Sequence, residues 1–303
     1  MLKLTPWLAA CLIAFAAVAH AEDDDDDAKR ALKLSGSTGL TGFRNMVDAR
    51  TPGTLSVRGG VRYLVNVVEN DFRGAINGTR EQQRHDLTLY AGGSLLGLID
   101  VAAKIPFVFD RQSTSLSGLP DPRDDNDEGW GDVDLAGKIS LELGPFDVAA
   151  YALGRLPTGE PAVRDLAELE YGVAASFTIF NHHLAAHGNL AGLQVEKGLT
   201  ALRYRVGVSF VILDFDTLLL RVYGYGNGIE FEGRADSDID LDFGAQAILF
   251  GFLSVELGTS VRLLDGNFLD DSAKAALRGQ GIFDRHFDDD GTWAIEFGVG
   301  IVF

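Results

Sequence analysis

Charged residues two or four positions apart recur through this chain. Examples are Arg58 and Arg62, Asp132 and Asp134, Arg203 and Arg205, and Asp238, Asp240 and Asp242. Side chains two apart on an extended backbone project from the same side. Each set is therefore a row of fixed charge on one face of a strand. Such rows can sort charged solutes or pair with one another. Residues suited to bond-making are sparse. The histidines are His20, His85, His182, His183, His187 and His286, and none is followed two residues later by serine. The pairing of base and nucleophile that activates a serine has no local candidate. His286 with Asp284 and Asp288 is a loose set of hydrolase-type groups in a very acidic stretch. No Gly-Lys-Ser or Gly-Lys-Thr phosphate loop, zinc-binding helix motif or cysteine cluster occurs, so the sequence calls for no cofactor and no metal.

The elements that carry these rows show a period of two. Near the end, Trp293, Ile295, Phe297, Val299, Ile301 and Phe303 form one face, and Thr292, Ala294, Glu296, Gly298 and Gly300 the other. Gly131–Glu142, Thr200–Leu213 and Ser237–Phe250 repeat the alternation. With weaker matches it predicts strands at 54–66, 84–95, 98–109, 131–142, 146–156, 168–180, 183–194, 200–213, 217–226, 237–250, 252–262 and 291–303. That is twelve, an even number, which puts both ends of a barrel on one side. Short turns at Leu96-Gly97, Gly144-Pro145, Asn181-His182, Asp214–Asp216 and Gly251 alternate with longer connections at 67–83, 110–130, 157–167, 195–199, 227–236 and 263–290. A membrane barrel sorts its loops this way, with short periplasmic turns and longer external loops. A soluble β-sandwich has no reason to. The reading is an all-β, up-and-down antiparallel transmembrane barrel over residues 54–303.

One face of each strand is apolar, and the other carries the charge. In a barrel these are the lipid and lumen faces. The lumen and selectivity candidates are Arg58, Arg62, Lys104, Asp132, Asp134, Lys138, Arg155, Arg203, Arg205, Arg221, Asp238, Asp240, Asp242, Glu256, Arg262 and Glu296. Asp86, Asp100, Glu142, Glu168 and Glu170 share that face. Unpaired buried charge is costly, so these groups need water or partners. Two states satisfy them: a wet lumen that selects solutes, or a lumen closed by ion pairs.

The chain has a formal charge of −18, which repels phosphate backbones and disfavours nucleic acid as a partner. Lys3, the apolar run Leu4–Val18 and Ala19-His20-Ala21 read as a secretory signal over residues 1–21, cut after Ala21. Cys11, the single cysteine, falls inside that run. Residues 22–53 read as an acidic periplasmic tail and lead-in, opening with Asp23–Asp27. Acidic clusters at Asp121–Glu128 and Asp284–Asp290 read as solvated external loops that could attract divalent cations.

Several motifs carry resemblances. The alternating strand ending in Phe303 resembles the C-terminal signal of bacterial outer-membrane proteins, which implies the barrel-assembly machinery as a partner. Gly129-Trp130-Gly131-Asp132-Val133-Asp134-Leu135-Ala136-Gly137-Lys138 and Leu153-Gly154-Arg155-Leu156-Pro157-Thr158-Gly159 resemble motifs of outer-membrane transporter barrels of the phenol meta-pathway type. Ser37-Thr38-Gly39-Leu40 with Thr51-Pro52-Gly53-Thr54-Leu55 is similar to the start of barrel domains attached to OmpA-like modules, without the peptidoglycan-binding module. The phenol-type resemblance implies transport across the outer membrane. The expectation is thus an outer-membrane channel in contact with lipid, passing small solutes by passive diffusion through a charged lumen. A non-conducting structural or binding barrel with acidic loops is the alternative, and a rim hydrolase the third.

Overall fold

The computed structural model describes residues 34, 36, 40–43, 46–52, 55–72, 78–116, 123–163, 167–179, 183–195, 199–231, 238–264 and 291–303. The stretch read as a signal, the residues after it up to 33, and the Asp284–Asp290 cluster with His286 lie outside the described residues. Two short strands, β1 (Gly42–Phe43) and β2 (Met46–Val47), form a small hairpin. The remainder is β3 (Leu55–Phe72), β4 (Gly78–Leu95), β5 (Ile99–Leu116), β6 (Arg123–Trp130), β7 (Val133–Leu143), β8 (Phe146–Leu156), β9 (Glu168–Ile179), β10 (Leu184–Val195), β11 (Leu199–Phe215), β12 (Leu218–Phe231), β13 (Asp238–Leu249), β14 (Leu253–Leu264) and β15 (Gly291–Val302).

Neighbours in sequence pair antiparallel from β3 to β15, and β15 then pairs with β3. The sheet closes on itself. β6 and β7 are two halves of one wall position, since both pair with β5. The barrel therefore has twelve strands. Between β6 and β7 a bulge sets Gly131, Asp132 and Val133 against only Ile105 and Pro106. Pro106 lacks the N–H a ladder position needs, so the partner strand yields there. Gly131 N–H still reaches the Pro106 carbonyl at 2.8 Å.

The strands on both sides of the first two external connections run further than the alternation suggested. β3 and β4 extend to Phe72 and Gly78, and β5 pairs with β6 out to Thr114 and Arg123. The stretch read as an acidic loop at 121–128 is mostly strand, because backbone pairing continues where apolar alternation stops. At the other end the turns are tight. Leu96 and Gly97 both have positive φ, as do Phe250 and Gly251, matching the mirror-image turns that suit twisted hairpins.

The apolar face points outward. Val206, Val208, Phe210 and Ile212 are exposed on β11, and Ile295, Phe297, Val299 and Ile301 on β15. Exposed aromatics cluster toward both ends: Phe146, Phe177, Phe215, Phe250 and Phe252 near the turns, and Phe109, Trp130, Tyr171 and Trp293 toward the loops. This is an apolar band between aromatic girdles, as expected of a transmembrane barrel. Charge is buried inside, the reverse of a soluble sandwich. Val206 is 68 % exposed on the outer face of β11. Val206→Arg should destabilise the barrel by about 2–4 kcal/mol in reversible unfolding from lipid vesicles. Arginine at an inward position of the same strand should not show that lipid-depth penalty.

Candidate functional site

The lumen is the site, and it is not empty. Residues 40–43 and 46–52 lie in it, and all of them whose side chains are described are buried. Leu40, Val47 and Ala49 pack on Ala102, Ala149, Ala174, Ala191 and Tyr151 of the inner wall. Small wall residues leave the width that this segment occupies.

The segment's peptide groups are satisfied by wall side chains, as buried backbone must be. The Asn189 amide both accepts from Val47 N–H at 2.9 Å and donates to the Val47 carbonyl at 2.8 Å. Thr41 N–H donates to Asp100 at 2.8 Å, and Ala49 N–H to Ser176 Oγ at 3.1 Å. Lys138 Nζ donates to the carbonyls of Asp48 and Arg50 at 2.7 and 2.6 Å and to Thr41 Oγ1. Arg221 and Gln246 donate to the Gly42 carbonyl at 3.1 and 3.3 Å.

Asp48 is the segment's charged centre. Arg50 holds its carboxylate through Nη2 at 2.7 Å and Nε at 2.9 Å. Ser176 Oγ donates to it at 3.0 Å, and the Arg221 guanidinium lies 4.0 Å away. Burial by itself would raise the Asp48 pKa. The Arg50 guanidinium, with further help from Lys138, outweighs burial and holds it well below the usual carboxylate range. The same carboxylate outweighs the burial of Arg50 and raises the Arg50 pKa.

The sixteen lumen candidates can now be placed. Arg58, Arg62, Asp132, Lys138, Arg205, Arg221, Asp242, Glu256 and Glu296 are buried. Lys104, Asp134, Arg155, Arg203, Asp240 and Arg262 are half-buried. Asp238 opens β13, and its side chain lies outside the described residues.

They form three groups. Near the turns, Arg58 pairs with Asp100, and Lys138 lies 3.7 Å from Asp100. On the β14–β15–β3 wall, Arg62 pairs with Glu256 at 3.1 Å, lies 3.7 Å from Glu296 and stacks over the Tyr90 ring. Toward the loops, Lys104 pairs with Asp134 at 3.1 Å, and Arg155 with Asp134 at 3.0 Å. Glu170 there accepts from Arg203 at 2.6 Å, Arg205 at 2.7 Å and Tyr151 at 3.0 Å. Separately, Arg262 pairs with Asp240 at 2.9 Å.

Asp132 does something else. Its carboxylate accepts from Gly159 N–H at 2.6 Å, while Glu160 accepts from Trp130 N–H at 3.0 Å. A Cβ on Gly159 would lie 2.8 Å from the Gly131 carbonyl carbon. The two motifs noted in the sequence thus touch, and they fasten the β8–β9 connection to the bulge.

The sequence reading did not find Thr41, Asp48, Arg50, Asn189, Ser176 or Gln246. The available signal was polar and alanine side chains at inward positions.

Three comparisons bear on this arrangement. A family model described as "Putative MetA-pathway of phenol degradation" matches residues 58–212, just over half of the chain. The COG4313 outer membrane channel from Pseudomonas putida F1 has a similar fold. It is 10 % identical with a TM-score of 0.56, over 84 % of this chain and 98 % of that one. The translocator domain of autotransporter NalP from Neisseria meningitidis is 13 % identical with a TM-score of 0.41, over 84 % of this chain and 89 % of that one. No curated protein matches the sequence significantly.

Asn189→Ala should cost about 1–3 kcal/mol for each Val47 peptide group it orphans. Hydrogen exchange at the Val47 amide should accelerate accordingly. Because docking lowers the Asp48 pKa, its contribution is complete above the ordinary carboxylate value of 3.8 and is lost as pH falls through the docked value. An infrared carboxylate band removed by Asp48→Asn should therefore persist below pH 3.8.

Proposed function

The chain belongs to the family of the MetA-pathway of phenol degradation, and from that premise we propose that it is an outer-membrane channel for small solutes. Exported with the help of its N-terminal signal, it conducts passively and catalyses nothing. The observation that carries this reading is the charged inner wall gripping a segment that is not part of the wall. A barrel needing only stability gains little from a lumen lined with ionised groups, since apolar filling is as stable or more so. Fixed charges of both signs beside a segment that is not part of the wall suit regulated passage. The luminal ion pairs would set selectivity, and residues 40–52 would set how wide the route is. The alternating strand ending at Phe303 would be the part read by the assembly machinery. Its backbone exchanges hydrogen bonds with Val57 at 2.8 and 3.0 Å, beside the closing seam.

A second reading is a closed structural or binding barrel. It is favoured by one observation: the luminal charges described are extensively paired. Conductance in planar bilayers separates the two. The full chain should give small, stable conductance steps, and a variant lacking residues 34–53 larger ones. Heat-modifiable gel migration would verify that both are folded. Lys138→Met, which keeps the segment but removes three of its hydrogen bonds, should raise conductance if the deletion does not fold. Folded proteins that all fail to conduct would favour the closed barrel.

A further inference from the structure

A cavity of about 110 Å³ opens in the loop-side half of the lumen, between β5, β7, β8, β9 and β11. Lys104, Arg155, Arg203 and Arg205 line it, against Asp134, Glu168 and Glu170. Four positive groups thus face three negative ones inside a chain of net charge −18. Glu170 is saturated by Arg203, Arg205 and Tyr151, and Asp134 is shared by Lys104 and Arg155.

The decisive detail is two donors. The Nε–H groups of Arg203 and Arg205 are buried, and neither has an acceptor among the described residues. The Arg205 side chain is only 3 % exposed. Buried donors of this kind are rare and costly unless something fills them. One wall of the cavity is apolar, formed by Ala136 and Leu153. Both also pack against the cluster holding Leu40 and Val47 of the luminal segment. Arg205 lies opposite Asn189 in the ladder, and Asn189 grips Val47. Ala136 and Leu153 therefore separate the cavity from the docked segment and touch both.

We propose that this cavity binds a small organic monocarboxylate. The carboxylate accepts from the arginine Nε–H groups and neutralises the excess positive charge, and a short apolar body lies on Leu153 and Ala136. Size sets the upper limit: a cavity of about 150 Å³ holds benzene, and this one is smaller. A cation has no matching vacancy, since the acids are already shared among arginines and lysine. The inference deepens the channel reading, on which its place in a permeation route rests. A carboxylate seated here lies one side-chain layer, Ala136 and Leu153, away from the cluster that holds the luminal segment.

Isothermal titration of the refolded full chain with butyrate tests it, with 1-butanol and butylammonium as the neutral and cationic counterparts. Butyrate should bind saturably and the counterparts should not. Arg203→Gln should weaken butyrate by about tenfold or more, the usual cost of a charge-assisted hydrogen bond. Arg155→Gln serves if that variant does not fold. Arg84→Gln, on β4 beside Asp86, should bind as the unaltered chain does. No saturable binding, equal binding by the Arg203 variant, or tighter binding of butylammonium would each overturn the inference. Titration needs no ion flow. A protein that binds butyrate but never conducts would sink the channel reading and leave this one standing.

Discussion

Closure of the sheet governs everything else. Hydrocarbon offers no hydrogen-bond partner, so a strand crossing it must pair on both sides. The β15–β3 ladder supplies the last of these pairings and leaves no edge. Once the sheet is closed, each strand has one lipid face and one enclosed face. Its apolar residues take the first and its charges are forced into the second. The lumen's electrostatics are therefore a consequence of the wall.

Enclosed charge then demands partners, and the structure supplies them in layers. The turn-side and middle layers are neutralised between strands and by the luminal segment, whose Asp48 and Arg50 are themselves a pair. The loop-side cavity is lined by one more positive group than negative. The alanines that face inward at positions 102, 149, 174 and 191 matter as much as the charges. Larger residues there would close the space that the segment occupies.

The fold was legible because alternation is a property of each strand alone. Trp293–Phe303 announces its two faces without reference to any other residue. Strand ends were less legible. Beyond the membrane the wall no longer needs apolar residues, so pairing between β5 and β6 continues with no hydropathy trace. The luminal segment was invisible for a different reason. Val47 meets Asn189 across 142 residues, and the contact joins a side chain to main chain. No period records such a contact. The link between the Gly-Trp-Gly-Asp and Pro-Thr-Gly motifs was half visible, as two motifs whose joint purpose needed three dimensions. Register places the candidate charges on one face, yet register does not say which of them would meet a segment from outside the wall.

The grip of Asn189 on Val47 has a wider consequence. One amide side chain copies the hydrogen bonds that a neighbouring strand would make, and Lys138, Arg221 and Gln246 likewise seize carbonyls. At these positions the wall recognises peptide groups, while Asp48, Leu40 and Val47 are held through their side chains. Where the grip is on peptide groups, the segment's path is uncoupled from its own spelling. Over evolutionary time its residues can drift toward different occupants of the lumen while the route they follow stays the same.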